Sequence, residues 1–347
     1  MLSFRTMNEN VRLCLRKFVI TIVCLCLLDF VIGGFSRFVF FQQRSGKFYR
    51  IHKAMTSANQ RLLVFGSSHA ASHYVPEILD KELRISSYNA GVLGQQILFH
   101  KTLESIILER VTPEAIILDV DPSTLYYAKE PYDRLAELKP FYFRHPEIVG
   151  PVLDYRSRLE RLFLWSKLYQ YNSTFVHVIR YAISPQPDWN GYRPAYGAME
   201  PPTVEDEIAA RGTYTVDRKL DPVMVDALER FAADAMRKDI NIFYFISPGA
   251  LPEELERNAS FLKIRAIAAQ SNIPFFNFRN HPEFVRNYSL FYDSGHLNDL
   301  GARRYSKLVA DTIRDRLAAR TFLNSPSESE SSGSTKQVHS SAYWSLL

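Results

Sequence analysis

Apolar positions fall first into one long block and then into a series of short ones. The long block runs from Phe18 to Phe35 (FVITIVCLCLLDFVIGGF) and, past Ser36 and Arg37, continues to Phe41. As a helix it lies at the short end of what spans bilayer hydrocarbon, and Asp29 inside it adds cost. A cleavable signal peptide is the competing reading. No small-x-small site follows the block, and the next residues are bulky and basic. An uncleaved transmembrane signal anchor is therefore expected over 1–41, with the N-terminus inside and the remainder of the chain outside the cytoplasm. Residues 42–57 are a polar, basic juxtamembrane connector whose pattern allows the anchor helix to continue along the membrane surface.

After Ala58 the pattern becomes short apolar runs alternating with amphipathic stretches. RLLVFG (61–66) is a run ending at glycine, the form taken by a buried parallel strand. A helix is expected over Tyr74–Leu83 with Pro76 in its first turn. There follow a short strand near Ser87–Asn89, a helix over Gln95–Arg110 and a strand at Ala115–Val120. The alternation resumes with a helix opened by Asp221-Pro222 and running to about Lys238. A strand at Asn241–Ser247, a helix over about Pro252–Gln270 and a strand at Pro274–Phe278 come next, and the last helix covers about Leu300–Arg320. This order predicts an α/β domain over 58–320, with three α/β/α layers around a mostly parallel sheet of flavodoxin-like type. Right-handed crossovers then put the strand C-terminal ends, and any active site, on one edge.

Residues 123–220 break the rhythm. They are dense in aromatic residues, among them Tyr126, Tyr132, Trp165, Trp189 and Tyr196, and Ser184–Pro202 is punctuated by Pro and Gly. The segment reads as an insertion that lids or walls the site, or alternatively as one with its own small core. From about 321 to 347 the chain is Ser-rich and is expected to be a disordered tail.

Composition narrows the function class. With 46% hydrophobic and 23% charged residues over 347 positions, the chain has material for one large domain. The net charge of +5 arises largely beside the apolar block, from residues such as Arg12, Arg16, Lys17, Arg37 and Arg44. That placement fits anionic lipid headgroups, so the cytoplasmic membrane is an expected partner and nucleic acid is not. All three cysteines, Cys14, Cys24 and Cys26, lie in or beside the anchor. This excludes a disulfide framework or a cysteine metal site in the rest of the chain and suits an oxidising compartment.

Three segments carry candidate chemistry. Phe65-Gly66-Ser67-Ser68-His69-Ala70 follows the first strand, where a tight strand-to-helix turn exposes a serine hydroxyl beside backbone N–H groups; a simple helix cap is the bland reading. Tyr292-Asp293-Ser294-Gly295-His296-Leu297-Asn298-Asp299 precedes the last helix. Its spacing lets Asp293 reach one imidazole nitrogen of His296 and leaves the other for a serine hydroxyl. Asn298 or Asp299 is expected to cap the helix. Tyr88-Asn89-Ala90-Gly91-Val92-Leu93-Gly94 follows the second strand, where glycines let a backbone N–H approach a reacting carbonyl. His69 and His73 have the i,i+4 spacing of a metal pair. No third ligand is evident nearby, so a polar helix face is expected, with neither metal nor cofactor.

Together these segments resemble the SGNH (GDSL-like) hydrolase superfamily over roughly 60–122 and 241–318. The resemblance implies an SGNH fold with Ser68 as nucleophile, His296 as base and Asp293 as its orienter. It also implies backbone donors to an oxyanion at Ser68 and Gly94, with Asn89 a further candidate. The Gly-Ser-Ser-His variant is similar to membrane-tethered proteins of envelope O-acylation, of DltD-like and alginate-acetylation type. Two positions depart from the family pattern: Ser67 replaces its Asp, and Asp121 stands where an oxyanion-donating Asn belongs. An ionised carboxylate there repels the developing charge. The expected function is a serine esterase or O-acyltransferase on acyl esters of extracytoplasmic glycans, in a single-pass, periplasm-facing protein of a bacterial-type inner membrane. The alternative is a weak or inactive domain that binds envelope polymer or supports a membrane-bound acyltransferase.

Overall fold

The computed structural model describes residues 9–203 and 218–324. Five parallel strands form one sheet: β1 (Leu62–Gly66), β2 (Ser87–Asn89), β3 (Ala115–Asp119), β4 (Asn241–Ile246) and β5 (Phe275–Asn277), in the order β2-β1-β3-β4-β5. Register is continuous across the middle, with Phe65 beside Leu118 and Leu118 beside Tyr244. This is the flavodoxin-type doubly wound order, whose direction reverses between β1 and β3.

Strands β1, β3 and β4 are buried on both faces, which is why they read as apolar runs. Leu63, Phe65, Ile116, Leu118, Ile242 and Tyr244 enter one core, while Leu62, Val64, Ile117, Phe243 and Phe245 enter the other. The first core is covered by α2 (Gly46–Thr56), α5 (Ile97–Leu108) and α11 (Pro222–Arg237). The second is covered by α3 (Ser68–His73), α4 (Pro76–Leu83) and α13 (Asp299–Asn324). Helix α12 (Ala259–Gln270) flanks the β4–β5 edge and starts later than its sequence pattern predicts, because the Asn258 side chain caps it by accepting from Phe261 N–H.

Helix α1 (Glu9–Phe41) is 33 residues long and apolar enough to cross a membrane. Its last turn belongs to the domain: Phe40 is buried and its ring lies 5.5 Å from Phe48, 5.7 Å from Phe141 and 5.5 Å from Tyr171. The 42–57 connector differs from expectation in the same way. It breaks from α1 at Gln42–Ser45 and turns into α2, which buries Phe48, Ile51, Ala54 and Met55 in the main core. The apolar spacing on α2 is better satisfied by that core than by a surface run.

The insertion is helical: α6 (Lys129–Arg134), a 3-10 turn (Leu135–Phe141), α7 (Pro146–Leu153), α8 (Glu160–Phe163), α9 (Lys167–Tyr171) and α10 (Phe175–Ile183). Its ends are zipped together at a neck, where Tyr126 bridges Leu220 and Asp221 N–H donates to Leu125 O at 2.7 Å. The Pro/Gly segment after Ser184 is a strap across the domain. Asn89 N–H donates to Asn190 O, Arg193 N–H to Ala71 O and Asp299 N–H to Ala195 O, at 2.8, 2.7 and 2.7 Å. At the C-terminus, the tail expected from 321 begins as helix, since α13 continues to Asn324; the rest of that tail lies outside the described residues.

Candidate active site

Ser68 opens α3 immediately after β1. The turn that places it depends on Gly66, whose φ is +139° and whose replacement by any larger residue would put a Cβ 2.5 Å from Asp119 O. His296 and Asp293 lie in the loop between a 3-10 turn (Tyr288–Leu290) and α13. That loop is fixed from three sides. Tyr292 N–H donates to His296 O at 2.8 Å, Leu297 N–H donates to His73 Nε2 at 3.0 Å, and Asn298 donates to Gly197 O at 2.7 Å and Ser289 O at 2.8 Å. Asn298 Oδ1 also accepts from Gly301 N–H at 3.0 Å, so of the two capping candidates Asn298 takes the role.

The structure brings the three together. His296 Nε2 lies 2.8 Å from Ser68 Oγ, and His296 Nδ1 lies 2.8 and 3.0 Å from the two Asp293 oxygens. Asp293 Oδ1 also accepts from the N–H groups of Gly295 and His296 at 2.9 and 2.8 Å. Partial burial pushes the Asp293 carboxyl up, but His296 and those donors outweigh it and hold the group below the usual carboxylate range. The carboxylate thus stays charged beside the imidazole, the condition for it to orient the ring and stabilise an imidazolium.

Behind Ser68 lies a buried polar layer. His69 and His73 are buried inside the fold, where the sequence predicts a polar helix face: the rings of the pair are stacked with centroids 5.0 Å apart, and His69 lies 5.4 Å from His296. α3 is only six residues long and is enclosed by α13 and the strap, so little of it reaches water. His69 Nδ1 is 3.9 Å from both Asp119 Oδ1 and Asp121 Oδ2. Burial lowers the His69 pKa to about 4 against the pull of Asp121. Burial raises Asp119 to about 7 even though Ser247 and Tyr74 donate hydrogen bonds to it. Among the described residues, no group of three or more His, Cys, Asp or Glu is arranged to hold a metal ion.

Beside the serine opens a cleft of about 360 Å³, bounded by Gly66, Ser67, Gly94 and Asp121 on the strand ends and by Pro131 and Arg134 from the insertion. Asp121 accepts from Ser123 N–H and Oγ–H at 2.8 and 2.5 Å. Burial would raise its pKa, but His69, Arg279 and Ser123 hold it below the ordinary value, so a charged carboxylate faces the cleft. Gly94 adopts φ +73°, and a Cβ on it would fall 1.7 Å from Arg134 Nη1. The Arg134 guanidinium therefore lies directly over the Gly94 backbone, while Arg134 Nη2 pairs with Glu130 Oε1 at 2.5 Å. The loop is tied down from beneath by Lys47 of α2, which donates to Leu93 O at 3.0 Å and Glu137 Oε1 at 2.6 Å.

Asn89 is placed differently from its expected role. Both its amide hydrogens are committed to backbone oxygens, Ala70 O at 2.6 Å and Tyr74 O at 2.8 Å, and its Oδ1 accepts from Gly91 N–H at 2.9 Å. It shapes the turn and has no side-chain donor left for a substrate. Among the described residues, no Phe, Tyr or Trp lines the cleft, and the wall that the insertion contributes includes Ala128, Glu130, Pro131, Arg134 and Arg218 instead of an aromatic platform. Arg134 is a charged cleft residue that the sequence did not mark. It ends a short helix of the insertion, and nothing in the local pattern tells that this helix folds back onto Gly94.

No protein-family model matches the chain, and no curated protein sequence matches it. Solved structures with a similar chain trace include an acetyl xylan esterase, at 14% identity and a TM-score of 0.36, covering 74% of this chain and 99% of that one. They also include a lipolytic protein of the G-D-S-L family from Desulfitobacterium hafniense, at 10% identity and 0.34, covering 73% and 99%. An acylhydrolase from Bacteroides fragilis is similar at 11% identity and 0.36, covering 77% and 95%.

Proposed function

We propose that this chain is a membrane-anchored serine esterase or O-acyltransferase of the SGNH type, with Ser68 as nucleophile, His296 as general base and Asp293 as the group that orients it. The observation that carries the reading is the continuous contact from Ser68 Oγ through His296 to Asp293, at 2.8 Å on each side of the ring. His296 takes the Ser68 proton as Oγ attacks an ester carbonyl, and a tetrahedral oxyanion forms. The same proton passes to the departing alcohol, leaving an acyl-serine. A water or a sugar hydroxyl, deprotonated by His296, then resolves that intermediate. Hydrolysis and transfer use the same residues. The oxyanion is received by the backbone N–H groups of Ser68 and Gly94.

The anchor supports a substrate held at a membrane face. Under this reading α1 crosses a bacterial-type inner membrane once, the domain lies in the periplasm, and the ester belongs to an acylated envelope glycan. A second reading has one specific support, the charged Asp121 beside Gly94. In that reading the domain turns over slowly or not at all and serves a membrane-bound acyltransferase by binding polymer.

The full chain in detergent, treated with an active-site serine phosphonate and with an activated acetyl ester, distinguishes these. Labelling and turnover that both vanish in Ser68→Ala support the esterase; labelling that persists in Ser68→Ala removes the triad assignment. No labelling of the wild type shifts the reading to the accessory role. A C-terminal reporter active only in the cytoplasm would reverse the orientation.

A further inference from the structure

Asp29 stands six residues before the end of the uninterrupted apolar stretch, about 9 Å along the helix axis at 1.5 Å per residue. A carboxylate at that depth needs partners, and it has three. Ser166 Oγ–H donates at 2.5 Å, Lys167 N–H at 2.9 Å and Leu168 N–H at 3.0 Å, so the first turn of α9 is seated on the anchor helix. Lys167 Nζ lies 3.5 Å from the centroid of the Phe30 ring, and Gly33 gives α9 room to approach. The insertion is therefore docked alongside the apolar part of α1, at a level where bilayer would surround both.

The surface that α8–α10 turn outward matches that position. Trp165 is 77% exposed, and Val176 and Ile183 are 76% and 79% exposed. Val176, Ile179 and Ile183 form an outward apolar ridge on α10, on the side a water-facing helix keeps polar. Leu159, just before α8, and Leu162 within it are also exposed, and an apolar groove of about 150 Å³ lies between Phe35 and Val39 of α1 and Phe175 and Ile183 of α10. Arg158 and Arg180, also exposed, border the patch. Exposed apolar residues accompanied by basic ones, on a segment that packs along a helix able to cross a membrane, have the composition of an interfacial segment.

We infer that residues 159–183 form a membrane-seated platform, its α8–α10 face buried in the headgroup and upper acyl region of the bilayer that α1 crosses. The aromatic and aliphatic residues of the insertion then serve lipid contact instead of substrate contact, and the Asp29 clamp fixes the domain against the membrane face. The catalytic reading is independent of this inference, which depends only on α1 being inserted.

The test is nitroxide accessibility on the full chain, with Cys14, Cys24 and Cys26 replaced by serine, in phosphatidylcholine vesicles containing phosphatidylglycerol. Labels are placed singly through Leu162→Cys, Val176→Cys and Ile183→Cys, with Ile20→Cys in α1 and the exposed Met236→Cys of α11 as references. The platform labels should collide with oxygen severalfold more readily, relative to a nickel chelate, than the Met236 position does, as the Ile20 position should. Nickel-accessible platform labels with a lipid-like signal at Ile20 would overturn the platform and leave the anchor standing. Platform labels shielded from both reagents would mean a covering protein and would overturn it equally. Water-like signals at all positions would overturn both the platform and the anchor.

Discussion

His296 Nε2 and Ser68 Oγ are 2.8 Å apart although 228 positions separate the two residues in the chain. The contact closes because β1 and the loop before α13 end on the same edge of a parallel sheet, and Leu297 N–H, held by His73 of the serine's own helix, fixes the imidazole loop against it. A pair so constrained behaves as one device.

Removal of any member should therefore remove most of what the others do. Ser68→Ala and His296→Ala are each expected to lower kcat for an activated ester by ~10³-fold or more, and the double variant should be no worse than either alone. Asp293→Asn should cost ~10²–10⁴-fold while retaining serine labelling at a reduced rate. Steady-state and single-turnover kinetics check this. Additive losses would mean that the three act separately.

Asp121→Asn should raise activity. The amide keeps an oxygen to accept from Ser123 and replaces a negative charge beside the oxyanion position with a donor. An increase in kcat of ~10-fold or more is expected. A fall would show that the Asp121 carboxylate takes part, for instance by holding His69.

Gly94→Ala should lower activity with the fold intact. Its Cβ would displace the Arg134 guanidinium and demand a left-handed backbone, a strain of ~1 kcal/mol. Arg134→Ala in the Gly94→Ala background should then restore part of the loss, if the collision is what disturbs the cleft. Circular dichroism and kcat measured on both variants and the wild type decide it.

The buried Asp119 predicts a pH-dependent stability difference. Its folded pKa, about 7, is above the ordinary 3.8, so the folded state holds this proton more tightly than the unfolded chain does. That contribution is fully present below about 3.8 and is lost as pH rises toward 7. Asp119→Asn lacks the term, so across this window its stability should rise relative to wild type by ~1–3 kcal/mol. His69, whose folded pKa of about 4 lies below its ordinary value, contributes with the opposite slope, and because it lies 3.9 Å from Asp119 Oδ1 the measured difference belongs to the pair. Urea denaturation at a series of pH values measures it. A difference that stays flat would place the Asp119 proton elsewhere.

Asn89→Ala should destabilise the domain by ~2–4 kcal/mol, because it strands two buried carbonyls and one N–H at the turn that holds α3. A variant as stable as wild type would show that the turn holds without these bonds.

What the sequence determined by itself is what local periodicity and short spacing encode. Apolar runs within Arg61–Gly66 and Ala115–Val120 meant strands covered on both faces. A long apolar block meant one helix able to span a bilayer, and the three-residue spacing of Asp293 and His296 allowed a turn to join them, as it does at 2.8 Å. What only the tertiary structure decided depends on distant segments meeting. Asp29 looked like a cost inside the anchor until Ser166, 137 positions away, capped it. Arg134 carries no local signal of a role, and only the folded insertion sets it over Gly94. Asn89 had the right type for a donor, yet the backbone oxygens of Ala70 in α3 and of Tyr74 just after it took both its hydrogens. In each case the residue's chemistry was visible along the chain. Its partner was not, because packing, which has no sequence period, chose it.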